Sequence, residues 1–193
     1  ADNTATGQES NGIVIMTEPE RNAVVGNTVR GAEYGLSPGG SANYVAHNVI
    51  EGNDLGLHVG STASIYEHNV IAGNDEHATA MSGPLRIWSD GDNGNYWHGA
   101  AAIDSGGESD LSYSPTDPLD KRLHRTAGTP TLARSPALKA LAGLEGSVPG
   151  MRTGSVVDRA PTCEPNNPDL LAQTEWDDDA WTCYELTRTT RND

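Results

Sequence analysis

Two histidines recur at a fixed spacing in the first half of the chain. His47 and His68 lie 21 residues apart, and each directly precedes an asparagine. Copper accepts imidazole nitrogens and thioether sulfurs as ligands. The predicted copper ligands are therefore His47, His58, His68 and Met81. The alternative interpretation is that His47 and His68 only occupy the position before the asparagine, where they pack or face solvent.

Acidic side chains occur in glycine-containing loops in the middle of the chain. Carboxylate oxygens are the hard ligands that Ca²⁺ prefers. The residues concerned are Asp90, Asp92, Asp104, Glu108 and Asp110. They do not have the spacing of an EF-hand. The pattern is compatible with a calcium site and equally with acidic loops that are simply solvated.

Few ionisable residues are available for catalysis. The candidates on the outer faces of the repeated segment are Arg30, Glu51, His58 and Glu67. A glycosidase or lyase needs paired carboxylates, or a base beside a charged clamp, and no stacked aspartate pair occurs. A glycine-rich phosphate loop and a Ser–His–Asp signature are also missing from the sequence. The sequence therefore predicts a protein that is not an enzyme.

The candidate ligands belong to a repeat with a period of 21 residues. Asn27, Asn48 and Asn69 share that spacing, and so do Asn53 and Asn74. A fixed period of this length indicates stacked units that bury their apolar edges against one another. Short apolar runs between Gly and Asn residues indicate strands and turns. We therefore predict an all-β fold, a short right-handed parallel β-helix of about 3–4 coils with ladders of asparagine side chains.

The remaining sequence divides into segments around these coils. Residues 1–10 are expected to be a flexible N-terminus, and residues 11–98 to form the coils. Residues 99–161 are expected to form a cap of loops, with one short helix at 135–143 that begins at a Ser-Pro pair and ends at Gly. Residues 162–193 form an acidic C-terminal extension.

The C-terminal extension contains two features, one that indicates a cellular location and one that indicates a partner protein. Cys163 and Cys183 are predicted to form a disulfide, which would indicate an extracytoplasmic protein; free thiols or a metal-binding pair are the alternatives. Trp176 and Trp181 flank a run of acidic residues. Large aromatic side chains of this kind favour docking on a partner protein.

Composition narrows the class of partner. The formal net charge is −15, which makes nucleic acid an unfavourable partner. The chain has 27 acidic residues and only 12 basic ones, of which Lys121 and Lys139 are the lysines. An acidic surface poor in lysine favours a source adapted to high salt.

No apolar stretch is long enough to span a membrane, and the first residues read as a processed or truncated end.

Several pieces of the sequence together resemble the NosD-type β-helix family. They are the asparagine repeat, the Gly-Asn-Tyr-Trp run at 94–97, the Ser-Pro-Ala run at 135–137 and Val157-Asp158-Arg159-Ala160-Pro161. The resemblance covers about residues 11–161. It implies an exported maturation factor for the copper centre of nitrous oxide reductase. The segment after residue 162 has no counterpart in the family pattern.

These observations predict a non-catalytic NosD-like accessory protein or a structural subunit of an exported respiratory metalloenzyme complex. A role in copper-site assembly follows from the resemblance, with copper as the favoured cofactor and calcium as a weaker candidate. The first coil shows no capping helix, and an open coil end favours docking of another protein subunit. The alternative is a carbohydrate-active or carbohydrate-binding parallel β-helix.

Overall fold

The computed structural model describes part of the chain in detail. The described residues are 1–16, 18, 20–61, 63–80, 88, 94–100, 103–104, 113–116, 121–122, 137, 156–162, 165 and 184–185.

The described residues form a parallel β-solenoid built from three sheets. The first sheet has the order β1 (Thr4–Thr6), β4 (Thr28–Arg30), β7 (Val49–Glu51), β10 (Val70–Ala72) and β12 (Tyr96–Trp97). The second has the order β2 (Asn11–Ile15), β5 (Tyr34–Pro38), β8 (Leu55–Val59) and β11 (Glu76–Ala80). The third contains β3 (Ala23–Val25), β6 (Tyr44–Ala46) and β9 (Ile65–Glu67). Two further short strands, β13 (Ile103–Asp104) and β14 (Tyr184–Glu185), pair with each other.

Successive coils stack in a register of 21 residues, which confirms the predicted β-helix fold. Val29 pairs with Ile50, and Ile50 pairs with Ile71. The solenoid nevertheless starts earlier than the sequence analysis placed it. β1 lies inside the segment expected to be a flexible terminus, and it pairs in parallel with β4. Of the helix expected at 135–143, the described residues include only Ala137, which is helical.

The interior of the solenoid is filled by apolar side chains at equivalent positions of successive coils. One column comes from each sheet. The columns are Val24, Val45 and Tyr66; Val29, Ile50, Ile71 and Trp97; and Leu36, Leu57 and Ala78, all of them buried. Because each coil exposes this apolar edge until the next coil covers it, the units are stable only as a stack.

Glycine at one position of the second sheet makes room for an asparagine. A Cβ atom on Gly35 would lie 2.8 Å from Asn53 Nδ2, and a Cβ atom on Gly56 would lie 2.8 Å from Asn74 Nδ2. Among the described residues this asparagine ladder ends at Asn74. The next coil has His77 in the position of the glycines, and its ring is buried. We conclude that His77 fills space that the end of the ladder leaves free.

A second asparagine ladder runs through the turns between the third and first sheets. Asn27 donates from its backbone N and its Nδ2 to Asn48 Oδ1, at 3.0 and 2.8 Å. Asn48 donates in the same way to Asn69 Oδ1, at 3.1 and 2.8 Å. Its Nδ2 also donates to the carbonyl oxygens of Val24 and Ala46. These amides therefore satisfy buried backbone groups that strands alone leave unpaired.

The ladder extends beyond the regular repeat at both ends. Asn3 donates to Asn27 Oδ1 across 24 residues, and Asn69 donates to Asn95 Oδ1 across 26 residues. Asn95 then donates from N and Nδ2 to Asp158 Oδ2, at 2.8 and 3.0 Å. A carboxylate only accepts hydrogen bonds, so Asp158 is a chemical terminus for a chain of donors.

Asp158 is fully buried and organises the cap around the last coil. Its Oδ2 also accepts a bond from Trp97 Nε1 at 2.9 Å, and its Oδ1 accepts one from the Ala160 backbone N at 3.1 Å. A Cβ atom on Gly94 would lie 2.1 Å from Asp158 Oδ1, so only glycine fits beside the carboxyl group. Burial raises the pKa of Asp158, while the hydrogen bonds from Trp97, Asn95 and Ala160 act to lower it.

Replacing a central rung of this ladder should destabilise the protein strongly. Asn48→Ala removes the acceptor of two buried Asn27 donors and the side-chain amide that donates to the carbonyl oxygens of Val24 and Ala46. We expect the free energy of unfolding to fall by about 2–5 kcal/mol, measured by chemical denaturation. Asn22→Ala is the matched control, because Asn22 lies outside this ladder, is half-buried and donates in the same two-bond way to Asn43 Oδ1. Equal losses for the two variants would contradict a special role for the buried ladder.

The buried carboxyl group predicts a pH dependence of stability. Because the pKa of Asp158 is raised on folding, the folded state binds more protons than the unfolded state above the unfolded value of about 3.9. Stability contributed by this group is therefore present at low pH and is lost as the pH rises through the folded pKa. Relative to Asp158→Asn, which does not titrate, the wild type should become less stable from about pH 4 upward.

The measurement is chemical denaturation of both proteins across that pH range. The difference between their free energies of unfolding is followed against pH, so a cost of the substitution that does not depend on pH leaves the slope unchanged. A wild type that gains stability relative to Asp158→Asn as the pH rises would show that the hydrogen bonds outweigh burial.

Candidate functional site

His47 and His68 form a stacked pair at the corner between the third and first sheets. Their ring centroids lie 5.0 Å apart and the ring planes differ by 2°. The pairing follows from the register, since residues 21 apart occupy the same position in neighbouring coils. His47 is exposed and His68 is half-buried.

The backbone at this corner explains which residues are tolerated there. His47 and His68 have left-handed conformations, with φ of 55° and 54°. The same position is Asp2 and Gly26 in the coils before them, with φ of 56° and 70°. Gly, Asp and His all adopt this region more readily than most residues. The two histidines thus satisfy a structural requirement of the turn whether or not they bind a ligand.

The geometry of the pair limits what it can do with a metal. The nitrogen lone pairs lie in the ring planes, and because the two stacked rings are parallel, these lone pairs do not converge on one point between the rings. A ligand nitrogen lies about 2 Å from its metal and must point toward it. One ring must therefore rotate before both can hold one copper ion. Within the described part of the chain, no group of three or more His, Cys, Asp or Glu residues could hold a metal ion.

The other predicted copper ligands do not join this pair. His58 lies on β8 in the second sheet, where its ring packs against Tyr34 with the centroids 5.4 Å apart. Both side chains are partly exposed. Met81 lies outside the described residues.

A second histidine pair lies at the last coil. His77 Nε2 is 2.6 Å from the carbonyl oxygen of His98, and the two ring centroids are 6.4 Å apart. His77 is 5% exposed and also packs near Trp97. Its burial and its place above the asparagine ladder point to a packing role for this histidine.

The ionisable residues considered for catalysis are engaged in pairs between coils. Arg30 Nε donates to Glu51 Oε2 at 2.8 Å, and the Glu51 side chain is only 3% exposed. Glu67 Oε1 accepts a hydrogen bond of 2.7 Å from the Tyr44 hydroxyl. In both cases the partner lies one coil earlier, so the pair ties two coils together. These contacts favour a structural role for both carboxylates.

An aromatic cluster joins the solenoid to its cap. Tyr66 stacks on Trp88 at 4.5 Å between centroids, Trp88 meets Trp97 at 5.9 Å, and Trp97 meets Tyr113 at 6.0 Å. All four side chains are buried. Tyr113 also pairs with Asp158 through two backbone hydrogen bonds. The sequence shows the motifs that contain Trp97 and Asp158, but no local pattern in it indicates the contact between them.

Several predicted site residues fall outside the described part of the chain. They are the cysteines Cys163 and Cys183, the tryptophans Trp176 and Trp181, and the acidic residues Asp90, Asp92, Glu108 and Asp110. Asp104 is described only as part of strand β13. The disulfide, the tryptophan docking site and the calcium site therefore stay predictions.

No helix in the described part of the chain combines the length and the apolar character that crossing a membrane requires.

Comparison with known proteins agrees with the architecture. Residues 1–102 match the family model described as periplasmic copper-binding protein (NosD). No curated protein matches the chain. The matched region spans more than half of the 193 residues and contains the coils with their asparagine ladders. The chain therefore belongs to the NosD family.

Proposed function

We propose that this protein is a non-catalytic accessory subunit of an exported respiratory metalloenzyme complex and that it aids assembly of the copper site. The observation that carries the proposal is the family match over the coils. The engagement of Arg30, Glu51 and Glu67 in contacts between coils supports a scaffold more than an active site. The family description places such proteins in the periplasm, so we propose an extracytoplasmic location.

We also propose that the protein comes from an organism adapted to high salt, because its surface is strongly acidic. A net charge of −15 on 193 residues favours solubility, and strongly charged surfaces of this kind are used by proteins from salt-adapted organisms. The same charge disfavours nucleic acid as a partner. We propose that the partners are protein subunits of the enzyme or of its maturation machinery.

The stacked histidines are our candidate for transient copper contact. Imidazole is a ligand that copper accepts, and His47 is exposed to solvent. A site made of two imidazoles that must first reorient is suited to exchange and not to storage. Copper, when bound there, would be held by His47 and His68 for passage to a partner.

A carbohydrate-binding protein is the second candidate, and one observation favours it. Tyr34 and His58 form a partly exposed aromatic pair on the outer face of the second sheet. Asn11 accepts a hydrogen bond from Ser37 on the same sheet, so polar groups lie on the strands beside the rings. Aromatic faces beside amide and hydroxyl groups suit an uncharged sugar.

Copper titration distinguishes copper binding by the stacked His47–His68 pair from a purely structural role of the two side chains. We expect wild-type protein to bind copper measurably and His47→Ala/His68→Ala to lose that binding, because both imidazoles are removed. His58→Ala is the matched control, since it removes the same kind of ring from another sheet. Calorimetric titration and metal analysis after dialysis provide the measurement. Equal binding by all three proteins would exclude the stacked pair as the copper contact.

Native purification tests the accessory role itself. The protein should co-elute with subunits of an exported redox enzyme when it is isolated in high salt, as judged by mass spectrometry of the peak. A lone, copper-free monomer that binds oligosaccharide through Tyr34 would contradict the proposal and favour the second candidate.

A further inference from the structure

The outer side of the third sheet carries apolar side chains beside the two stacked histidines. Because the middle residue of each strand in this sheet points into the core, alternation along the strand turns the flanking side chains outward. Tyr44 is 37% exposed, Ala23 is exposed and Ile65 is half-buried. We call these three residues, together with His47 and His68, the histidine face.

Charge is depleted on the histidine face, as far as the described residues show, although the chain as a whole is acidic. The neighbouring carboxylate of Glu67 is 9% exposed and accepts a hydrogen bond from Tyr44. Glu20 and Arg21 lie at the rim with opposite charges. The corner between the first and second sheets instead exposes a carboxylate in three successive coils, at Glu33, Asp54 and Asp75. An exposed tyrosine on a charge-depleted face is typical of a protein contact surface.

The two imidazoles of one chain are an incomplete set of ligands. Cu²⁺ bound by nitrogen and oxygen prefers a square-planar arrangement, in which each nitrogen lone pair points at the ion. The rings of His47 and His68 are parallel with their centroids 5.0 Å apart, so without rotation each ring directs its lone pair to a different point. Each of these points therefore has one imidazole from this chain and needs a second one from outside it.

A second copy of the chain supplies that imidazole when two histidine faces meet. A twofold axis that runs along the strands, midway between the two histidine-bearing coils, exchanges those coils and keeps each position along the strand. His47 of one copy then faces His68 of the other. The same axis places Tyr44 of one copy against Ile65 of the other, because these residues occupy equivalent positions in the two coils. One arrangement thus brings together the imidazoles and the apolar side chains.

We propose that two copies of this chain associate through the histidine face and that copper ions join them, each held between His47 of one copy and His68 of the other. The twofold axis makes the two resulting sites equivalent. This inference rests on the copper contact in the proposed function and names the partner that completes it. Neither ring has to turn toward its stacked neighbour, so the geometry of each chain is kept.

Electrostatics favours this face as the contact between two copies. Each copy has a net charge of −15, so faces that expose carboxylates in successive coils repel each other. The histidine face avoids that repulsion, and bound Cu²⁺ adds positive charge between the copies. An imidazole has two ring nitrogens, so a histidine can hold an ion with one of them and keep a hydrogen bond at the other.

Sedimentation measures the association directly. The protein is dialysed against a chelator and then examined with and without added Cu²⁺. Copper should lower the dissociation constant of the dimer about tenfold or more, because the bridging ions bind only where two faces meet. The dimer should hold one bridging ion per chain. A wild type that binds copper at this pair and stays monomeric would overturn the proposal.

Mixing two single variants tests which rings share an ion. His47→Ala and His68→Ala each remove one ligand from both sites, so each variant alone should stay monomeric in Cu²⁺. In an equal mixture, a heterodimer regains one complete pair, with His47 from one variant and His68 from the other. We expect the mixture to dimerise and to bind half as much bridging copper per chain as the wild type. If the wild type dimerises and the mixture does not, the pairing across chains is wrong.

A new carboxylate on the histidine face tests the contact separately from the ligands. Tyr44→Glu should prevent dimerisation in Cu²⁺, since it places negative charge on both sides of the contact. Tyr34→Glu is the matched control, because it makes the same change at a half-buried tyrosine of the second sheet. Equal dimerisation of both variants would show that this face is not the contact. If circular dichroism shows that Tyr44→Glu does not fold, the mixing experiment decides the question.

The proposed function and this inference fail in different ways. If the wild type binds copper as a monomer and His47→Ala/His68→Ala does not bind it, the copper contact stands and the dimer is wrong. If the wild type binds no copper at the pair, the copper contact and the bridged dimer are both wrong. Co-elution with redox subunits then still tests the accessory role.

Discussion

The ladder of asparagine amides is the constraint on which the rest of the structure depends. Each rung bonds the next through two donors, so neighbouring coils cannot slip relative to one another without breaking buried hydrogen bonds. That fixed register is what aligns the apolar columns of the interior. It also aligns the side chains on the outside, which is why His47 lies directly on His68. Core and surface are therefore set by the same interaction.

A ladder of this kind has a direction, and its two ends are chemically different. In the bonds between rungs, each asparagine donates to the next rung toward the C-terminal end and accepts from the rung before it. Asp158 closes the C-terminal end because a carboxylate accepts without donating, and the buried aromatic rings of Trp97 and Tyr113 pack around it. At the other end of the described ladder, Asn3 donates from its Nδ2 to Asn27 Oδ1.

On the described part of the outer surface, two carboxylates are engaged in contacts between coils. The carboxylate of Glu51 is buried against Arg30, and that of Glu67 accepts a bond from Tyr44. Each of these pairs bridges two coils, and an acid–base catalyst needs instead a group that is positioned toward a substrate. Membership of the NosD family is consistent with this distribution. The His47–His68 pair is accessible to solvent, and one of its parallel rings would have to rotate before both could hold one metal ion.

The sequence by itself determined the repeat and therefore the fold, because a 21-residue period of asparagines and short apolar runs has few solutions other than stacked coils. The prediction from sequence was wrong where the spacing of equivalent residues differs from 21. β1 was missed since Asn3 lies 24 residues before its partner and the strand Thr4–Thr6 is polar. Only the tertiary structure decided that Asp158 meets Asn95 across 63 residues, because a contact of that length leaves no local pattern. It also decided that the rings of His47 and His68 are parallel, since spacing fixes which residues are neighbours but not how side chains are oriented.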